Sequence, residues 1–146
     1  MKRLAPMTRH DRKIARVASA NAVLVSVSTY GRRFFHDKGS DRVSKFKLHG
    51  GSLYLIDKYT EMPTAMRKGA SWRRFSDGGT LRALVEALAG YIRTGKPISS
   101  RYFGPWPAHY CDGDLWGYGH LAMDAVRAEM WLSPAVAFEN QGESND

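Results

Sequence analysis

A short stretch around residue 110 holds side chains of the types that ligate metals or act as nucleophiles: His109, Cys111, Asp112, Asp114 and His120. Zinc sites need Cys or His residues paired at short spacing, and His109-x-Cys111 followed by a lone His120 does not match such a pattern. A Cys111 thiolate activated by an imidazole would be a nucleophile, but a lone cysteine is more often a small buried apolar residue. We therefore expect no metal and no cofactor, and an enzyme is the least favoured class of function.

A second candidate site precedes a predicted helix. Residues 76–80, Ser-Asp-Gly-Gly-Thr, could present free backbone N–H groups to an anion at the helix N-terminus, with Arg73 and Arg74 adding charge. The full P-loop run and the Gly-x-Gly-x-x-Gly fingerprint are both absent. A glycine turn with Thr80 as the N-cap is the simpler interpretation, and the candidate anion-binding residues are Gly78, Gly79 and Thr80.

Positive charge is concentrated in the first half of the chain. Residues 1–75 carry 17 Lys and Arg against 5 Asp and Glu, a net +12, whereas residues 76–146 carry 5 against 9, a net −4. This asymmetry indicates an acidic partner, with nucleic acid as the first candidate. We predict that Lys45, Lys47 and Lys58 lie on the solvent face of the sheet. The predicted nucleic-acid contacts are Arg9, Arg12, Lys13, Arg16, Lys45, Lys47, Arg73 and Arg74.

Aromatic residues cluster between residues 102 and 118. They could form a small satellite core under a long loop, or a protein-binding surface, since Trp and Tyr dominate interface hot spots. Cations are scarce in this segment, which disfavours a nucleic-acid groove there. The candidate protein-binding residues are Trp106, Tyr110, Trp116 and Tyr118.

The elements that must position these residues alternate between helical and strand patterns. Residues 1–20 are predicted as a basic N-terminal helix region, in which Thr8 is the N-cap with Asp11 three residues on. The alternation of Val23, Val25 and Val27 then predicts a strand. A Gly50-Gly51 turn predicts a hairpin between residues 42–48 and 53–59, the second arm being the more central strand. A weaker hairpin joins residues 64–66 and 71–75. Two helices follow, over residues 81–94 and 120–132.

These elements predict an α+β domain: an N-terminal helix, an antiparallel sheet of about four or five strands, a long amphipathic helix across one sheet face, an aromatic loop and a C-terminal helix. Residues 1–138 form one predicted domain, and residues 139–146 a disordered polar tail. One cysteine fits a reducing compartment. With no secretory signal and no apolar run long enough for a membrane span, we expect a cytoplasmic protein that does not bind membranes.

Three runs in this sequence carry a resemblance: residues 75–81 leading into 91–97, the Phe-Gly-Pro-Trp-Pro of residues 103–107, and the Gly-Asp-Leu-Trp-Gly-Tyr-Gly of residues 113–119. Together they resemble small uncharacterised accessory proteins of tailed phages and prophages, over roughly residues 42–130. The resemblance implies a bacterial host cell and no activity or catalytic set. It favours binding of host or phage macromolecules over metabolism.

Two hypotheses follow from these observations. The first is a non-enzymatic accessory protein that binds DNA or RNA, without sequence specificity, through its basic N-terminal half. The alternative is a protein-binding inhibitor or modulator of a host defence complex that uses the aromatic loop 102–118.

Overall fold

The computed structural model describes residues 6–31, 36–37, 42–58, 60–66, 79–104 and 118–138. These residues confirm the α+β class. The helices are α1 (Arg9–Gly31), α2 (Gly79–Thr94), α3 (His120–Trp131) and a 3-10 helix (Ser100–Phe103). The strands are β1 (His36–Asp37), β2 (Arg42–Val43), β3 (Lys45–His49), β4 (Ser52–Ile56), β5 (Pro63–Ala65), β6 (Ile98–Ser99) and β7 (Val136–Ala137).

Helix α1 is longer than the sequence predicted, and the strand predicted over residues 22–28 is wrong. The buried residues Ala20, Val23, Leu24 and Val27 follow helical spacing, while Val25 is 49% exposed. Val23 and Val27 lie one turn apart on the buried face, and Val25 lies on a different face, because successive side chains of a helix turn by about 100°. A short apolar run fits both the helical period and the strand period, and packing against α2, α3 and β3 decides for helix here despite the β-branched residues.

The core surrounds the second half of α1. This helix contacts α2, α3 and β3, so it lies at the centre of the described elements. Helix α2 contributes Leu84, Leu88 and Ile92, all fully buried. Fully buried side chains of the other elements complete the core, namely Leu55, Phe103, Met123 and Val126. The extensive helix contact with β3 belongs to α1, whereas the sequence assigned that position to the helix over residues 81–94.

Strands β3, β4 and β5 form an antiparallel sheet with β4 in the centre, as the apolar residues on both faces of this strand predicted. Gly50 and Gly51 have φ of 58° and 83°, which allows the tight turn between β3 and β4. Among the described residues this sheet has three strands, and β1 and β2 pair separately, where the sequence predicted about four or five strands in one sheet. One arm of the predicted second hairpin is β5, and residues 71–75 lie outside the described part.

The C-terminal end of α2 agrees with the sequence signals, and α3 spans His120–Trp131 where the sequence predicted residues 120–132. Gly95 has φ of 84° and its N–H donates to the Tyr91 carbonyl at 2.7 Å, which ends α2 as predicted. Thr80 was predicted as the N-cap, but α2 begins one residue earlier at Gly79. The parallel pair β6–β7 then links the segment after α2 to the segment after α3. Within the described residues, no helix is both long and apolar enough to span a membrane.

Candidate nucleic-acid interface

Thr8 and Asp11 set the start of the basic helix. The Thr8 N–H donates to Asp11 Oδ2 at 3.1 Å, and the Asp11 N–H donates to Thr8 Oγ1 at 3.0 Å. This reciprocal pair confirms the capping box predicted from the sequence. The hydrogen bonds from the backbone and then the side chain of Thr8 lower the pKa of the Asp11 carboxyl below its ordinary value of 3.8. The cap thus sets the start of α1 and with it the positions of the cations in the first two turns.

The four predicted cations of α1 divide into two groups. Arg9 and Arg12 are exposed and Lys13 is half-buried, so these three present charge at the surface. Arg16 instead turns inward, and its Nε donates to the Ile92 carbonyl at 2.8 Å. That carbonyl belongs to the last turn of α2, where the carbonyls lack helical partners and a cation is favourable. Arg16 therefore holds α1 against α2.

The basic end of α1 meets the β3–β4 hairpin. Lys13 Nζ lies 3.5 Å from the carbonyl oxygen of Gly51, in the hairpin turn. Further along, the Phe46 N–H donates to Asn21 Oδ1 at 2.6 Å, and Asn21 Nδ2 donates to the Phe46 carbonyl at 3.1 Å. The Asn21 side chain thus satisfies both backbone groups of Phe46 on the free edge of β3, the edge that does not pair with β4. Helix α1 therefore runs beside this strand.

Strand β3 carries the second group of cations. Lys45 and Lys47 are exposed, whereas Phe46 between them is buried, so the period of two predicted from the sequence is confirmed. We call the exposed residues Arg9, Arg12, Lys45 and Lys47, together with the half-buried Lys13, the basic surface. Two segments more than 30 residues apart in sequence supply it, and they meet where Lys13 reaches Gly51.

The side of the sheet that carries these lysines also carries an aromatic side chain. Tyr54 is the register partner of Lys47, and Ile56 is the partner of Lys45. Both Tyr54 and Ile56 are half-buried, while their neighbours Leu53 and Leu55 are buried on the opposite side. The sequence prediction omitted Tyr54, although the Gly50-Gly51 turn fixes the register that places it opposite Lys47. We call this side the outer sheet face. Its strand residues are Lys45, Lys47, His49, Ser52, Tyr54, Ile56, Pro63 and Ala65.

The assignment of Lys58 to the solvent face is wrong. Its side chain is only 2% exposed, and its N–H donates to Ser44 Oγ at 2.9 Å. Lys58 lies two residues beyond the end of β4, where the alternation of the strand no longer determines its direction. Arg42 Nε donates to the Lys58 carbonyl at 3.2 Å, and Arg42 also forms an ion pair with Glu61 at 3.6 Å. The contacts of Arg42 and Lys58 therefore stabilise the end of the sheet that follows β4.

Part of the predicted sites falls on residues outside the described part of the chain. Arg73, Arg74 and Gly78 lie there, so their contacts with a nucleic acid or an anion stay predictions. Gly79 and Thr80 form the first turn of α2. The anion-binding role of residues 78–80 accordingly stays a prediction as well.

The aromatic segment is described only at its ends. Trp106, Tyr110 and Trp116 lie outside the described residues, and their role in protein binding stays a prediction. Tyr118 is 3% exposed, and its hydroxyl donates to the Val27 carbonyl at 3.0 Å. Tyr118 is therefore part of the core and offers no exposed surface to a partner protein.

The residues considered for thiol chemistry also lie mostly outside the described part of the chain. His109 and Cys111 lie outside the described residues, and His120 is the exposed first residue of α3. Among the residues that the structure describes, no group of three or more His, Cys, Asp and Glu side chains could hold a metal ion. The described residues thus offer the basic surface and the outer sheet face as the candidate site.

Comparison with known proteins identifies one family. No curated protein and no solved structure matches this chain. A family model described as YoqU matches residues 10–131, a span that begins in the first turn of α1 and ends at the last residue of α3. The match includes the basic helix and the hairpin, and hence every residue of the basic surface except Arg9. This chain belongs to the YoqU family.

Proposed function

We propose that this chain is a small accessory protein of the phage type that binds nucleic acid, without sequence specificity, through the basic surface. The contact between Lys13 and the Gly51 carbonyl carries the proposal, because it brings the cations of α1 to the hairpin that bears Lys45 and Lys47. The net charge of +12 over residues 1–75 supports it. Lysine and arginine side chains neutralise phosphates whatever the base sequence, which gives affinity and no base readout.

The cations of the basic surface are available for this role. Arg9, Arg12, Lys45 and Lys47 are exposed, and none of them forms an ion pair with a carboxylate in the described part of the chain. By contrast, Arg127 forms an ion pair with Asp124 at 2.9 Å, and Arg42 with Glu61. Acidic side chains thus neutralise Arg42 and Arg127, whereas the exposed cations of the basic surface are left for a polyanion.

The salt dependence of binding tests the proposal. We expect the affinity for mixed-sequence DNA or RNA to fall linearly with salt on logarithmic axes. Replacing Arg12 and Lys13 together by Gln removes two phosphate contacts, so the slope for duplex DNA should decrease in magnitude by about 1.8. Fluorescence anisotropy of a labelled duplex over a salt series measures this slope.

Arg16→Gln is the matched control, because it removes a cation of the same helix that lies outside the basic surface, in a part-buried hydrogen bond to the Ile92 carbonyl. The hydrogen bonds of Arg12 to the Met7 carbonyl and of Lys13 to the Gly51 carbonyl are exposed. The Arg16→Gln variant should lose about 1–3 kcal/mol of stability and keep the wild-type slope, provided it is measured where it remains folded. No detectable binding at low salt, or an affinity that does not change with salt, would contradict the proposed function.

A protein-binding modulator is the second candidate, and a different surface favours it. Leu121, Trp131 and Leu132 at the two ends of α3 are 87%, 68% and 82% exposed. Trp131 and Leu132 are adjacent, and contiguous apolar surface in solvent is typical of contact sites for other proteins. On this alternative the salt series shows no nucleic-acid affinity, so the same experiment distinguishes the two functions.

A further inference from the structure

The outer sheet face combines two kinds of ligand contact on neighbouring strands. Lys45 and Lys47 are two residues apart on β3, which separates their Cα atoms by about 6.8 Å. Tyr54, on the central strand, is the register partner of Lys47, and Ala65 of β5 is its partner on the other side. An aromatic ring in the middle of the sheet thus has a cation on one side and a single methyl group on the other.

Tyr54 is partly exposed and lies on the side of the sheet away from the core. The residue is half-buried, while Leu53 and Leu55 on the same strand point into the core. A side chain that served only the core would point to the same side as these leucines. Tyr54 instead lies on the side that bears the exposed lysines, next to the half-buried Ile56. Tyr54 is therefore a partly exposed aromatic residue on the same side of the sheet as two exposed lysines.

The charge of this face matches a polyanion. It carries Lys45 and Lys47, and none of the strand residues that the register places on it is acidic. The nearest described carboxylate along β5 is that of Glu61, which forms an ion pair with Arg42. A ligand that fits must therefore supply phosphates for the lysines and a flat apolar group for the tyrosine.

We propose that the outer sheet face binds single-stranded nucleic acid, with one base stacked on Tyr54 and the adjoining phosphates at Lys45 and Lys47. Base stacking on an aromatic side chain needs an unpaired base, because the faces of a base inside a duplex are already covered by its neighbours. This inference rests on the proposed function and adds the class of nucleic acid and the residue that selects it.

The contacts on this face do not depend on the sugar. Stacking uses the base and the lysines use the phosphates, and DNA and RNA share both groups. We therefore expect oligothymidine and oligouridine of about 12 nucleotides to bind with affinities within a few-fold of each other. This length lies within the range of site sizes of single-strand-binding domains.

Substitution of Tyr54 tests the stacking contact. Tyr54→Leu keeps an apolar side chain and removes the ring, whereas Tyr54→Phe keeps the ring and serves as the matched control. Anisotropy titrations should show oligothymidine affinity reduced by roughly 5- to 100-fold in Tyr54→Leu and nearly unchanged in Tyr54→Phe. Affinity for a duplex of the same length should be equal in all three proteins. Circular dichroism melting confirms that each variant is folded.

The outcomes separate this inference from the proposed function. Suppose that the wild-type protein binds nucleic acid in a salt-dependent manner and that Tyr54→Leu binds single strands as tightly as the wild-type protein does. The stacking site is then wrong and the proposed function stands. An equal loss for single strands and duplexes also overturns the stacking site. If the wild-type protein binds no nucleic acid, or binds an acidic peptide instead, both are wrong.

A second measurement uses the wild-type protein and does not depend on how the variants fold. Ultraviolet cross-linking to oligothymidine joins a base to the residue that it contacts, and mass spectrometry of the peptides locates the adduct. We expect an adduct on Tyr54 within residues 52–56. Adducts found only elsewhere in the chain would overturn the proposal.

Discussion

The first half of α1 keeps Arg9 and Arg12 in solvent, whereas the second half buries Val23, Leu24 and Val27 completely. One uninterrupted helix contains both halves, so the difference lies in what surrounds them. The second half places its buried side chains in the core and binds the edge of β3 through Asn21, while the first half contacts α2 through Arg16 and the hairpin turn through Lys13. The same helix therefore organises the core at one end and offers charge to a partner at the other.

The two halves of α1 should respond differently to mutagenesis. Substitutions in the buried half should change stability with little effect on the affinity of the folded protein, because no residue there belongs to the basic surface. Substitutions among the exposed cations should do the reverse, since they remove few contacts within the fold. Asn21 and Arg16 lie between these extremes, as both side chains hydrogen-bond to other elements.

The largest effect is expected in the buried half. Leu24→Ala leaves a cavity at a fully buried position and should lower the free energy of unfolding by about 2–5 kcal/mol. The neighbouring Val25→Ala, at a position 49% exposed, should change it by about 0.5 kcal/mol or less. Denaturant unfolding measures both values. Equal effects of the two substitutions would show that residues 22–28 do not form the helix described here.

An intermediate effect is expected where α1 meets the edge of β3. Asn21→Leu keeps the size of the side chain and removes both hydrogen bonds to Phe46, so it should cost about 1–3 kcal/mol. Amide hydrogen exchange at Phe46 should also become faster than at Leu55, its partner in the sheet. Thr29→Ala, exposed on the same helix, is the control and should leave both quantities unchanged. Unaltered exchange at Phe46 would contradict the contact.

The smallest effect belongs to the cap at the exposed end. Because folding lowers the pKa of Asp11, the ionised carboxylate stabilises the fold above pH 3.8, and this contribution is lost as the pH falls through the lowered pKa. Asp11→Asn should therefore be less stable than the wild-type protein at neutral pH, with the difference shrinking in acid. Thermal melting across this range measures the difference, and an NMR titration of Asp11 measures its pKa directly. A difference that grows in acid would have the wrong sign.

Features that depend on neighbours in the sequence were predicted well. The Thr8–Asp11 cap, the Gly50-Gly51 turn and the end of α2 at Gly95 each involve groups a few residues apart. Their geometry follows from the backbone preferences of glycine and the reach of short polar side chains. The alternation of Lys45 and Lys47 with Phe46 was predictable for the same reason, because a strand has a period of two.

The sequence by itself thus determined the α+β class, the main hairpin, the start of α1, the end of α2 and the location of the positive charge. Tertiary structure alone decided that α1 continues through residues 22–28, that Lys58 is buried, that Tyr118 joins the core and that Arg16 binds the end of α2. The Arg16 contact joins residues 76 positions apart, and the burial of each of the others depends on elements distant in the chain. Local spacing carries no information about such contacts, because they form only when packing selects one of several arrangements that the local pattern allows.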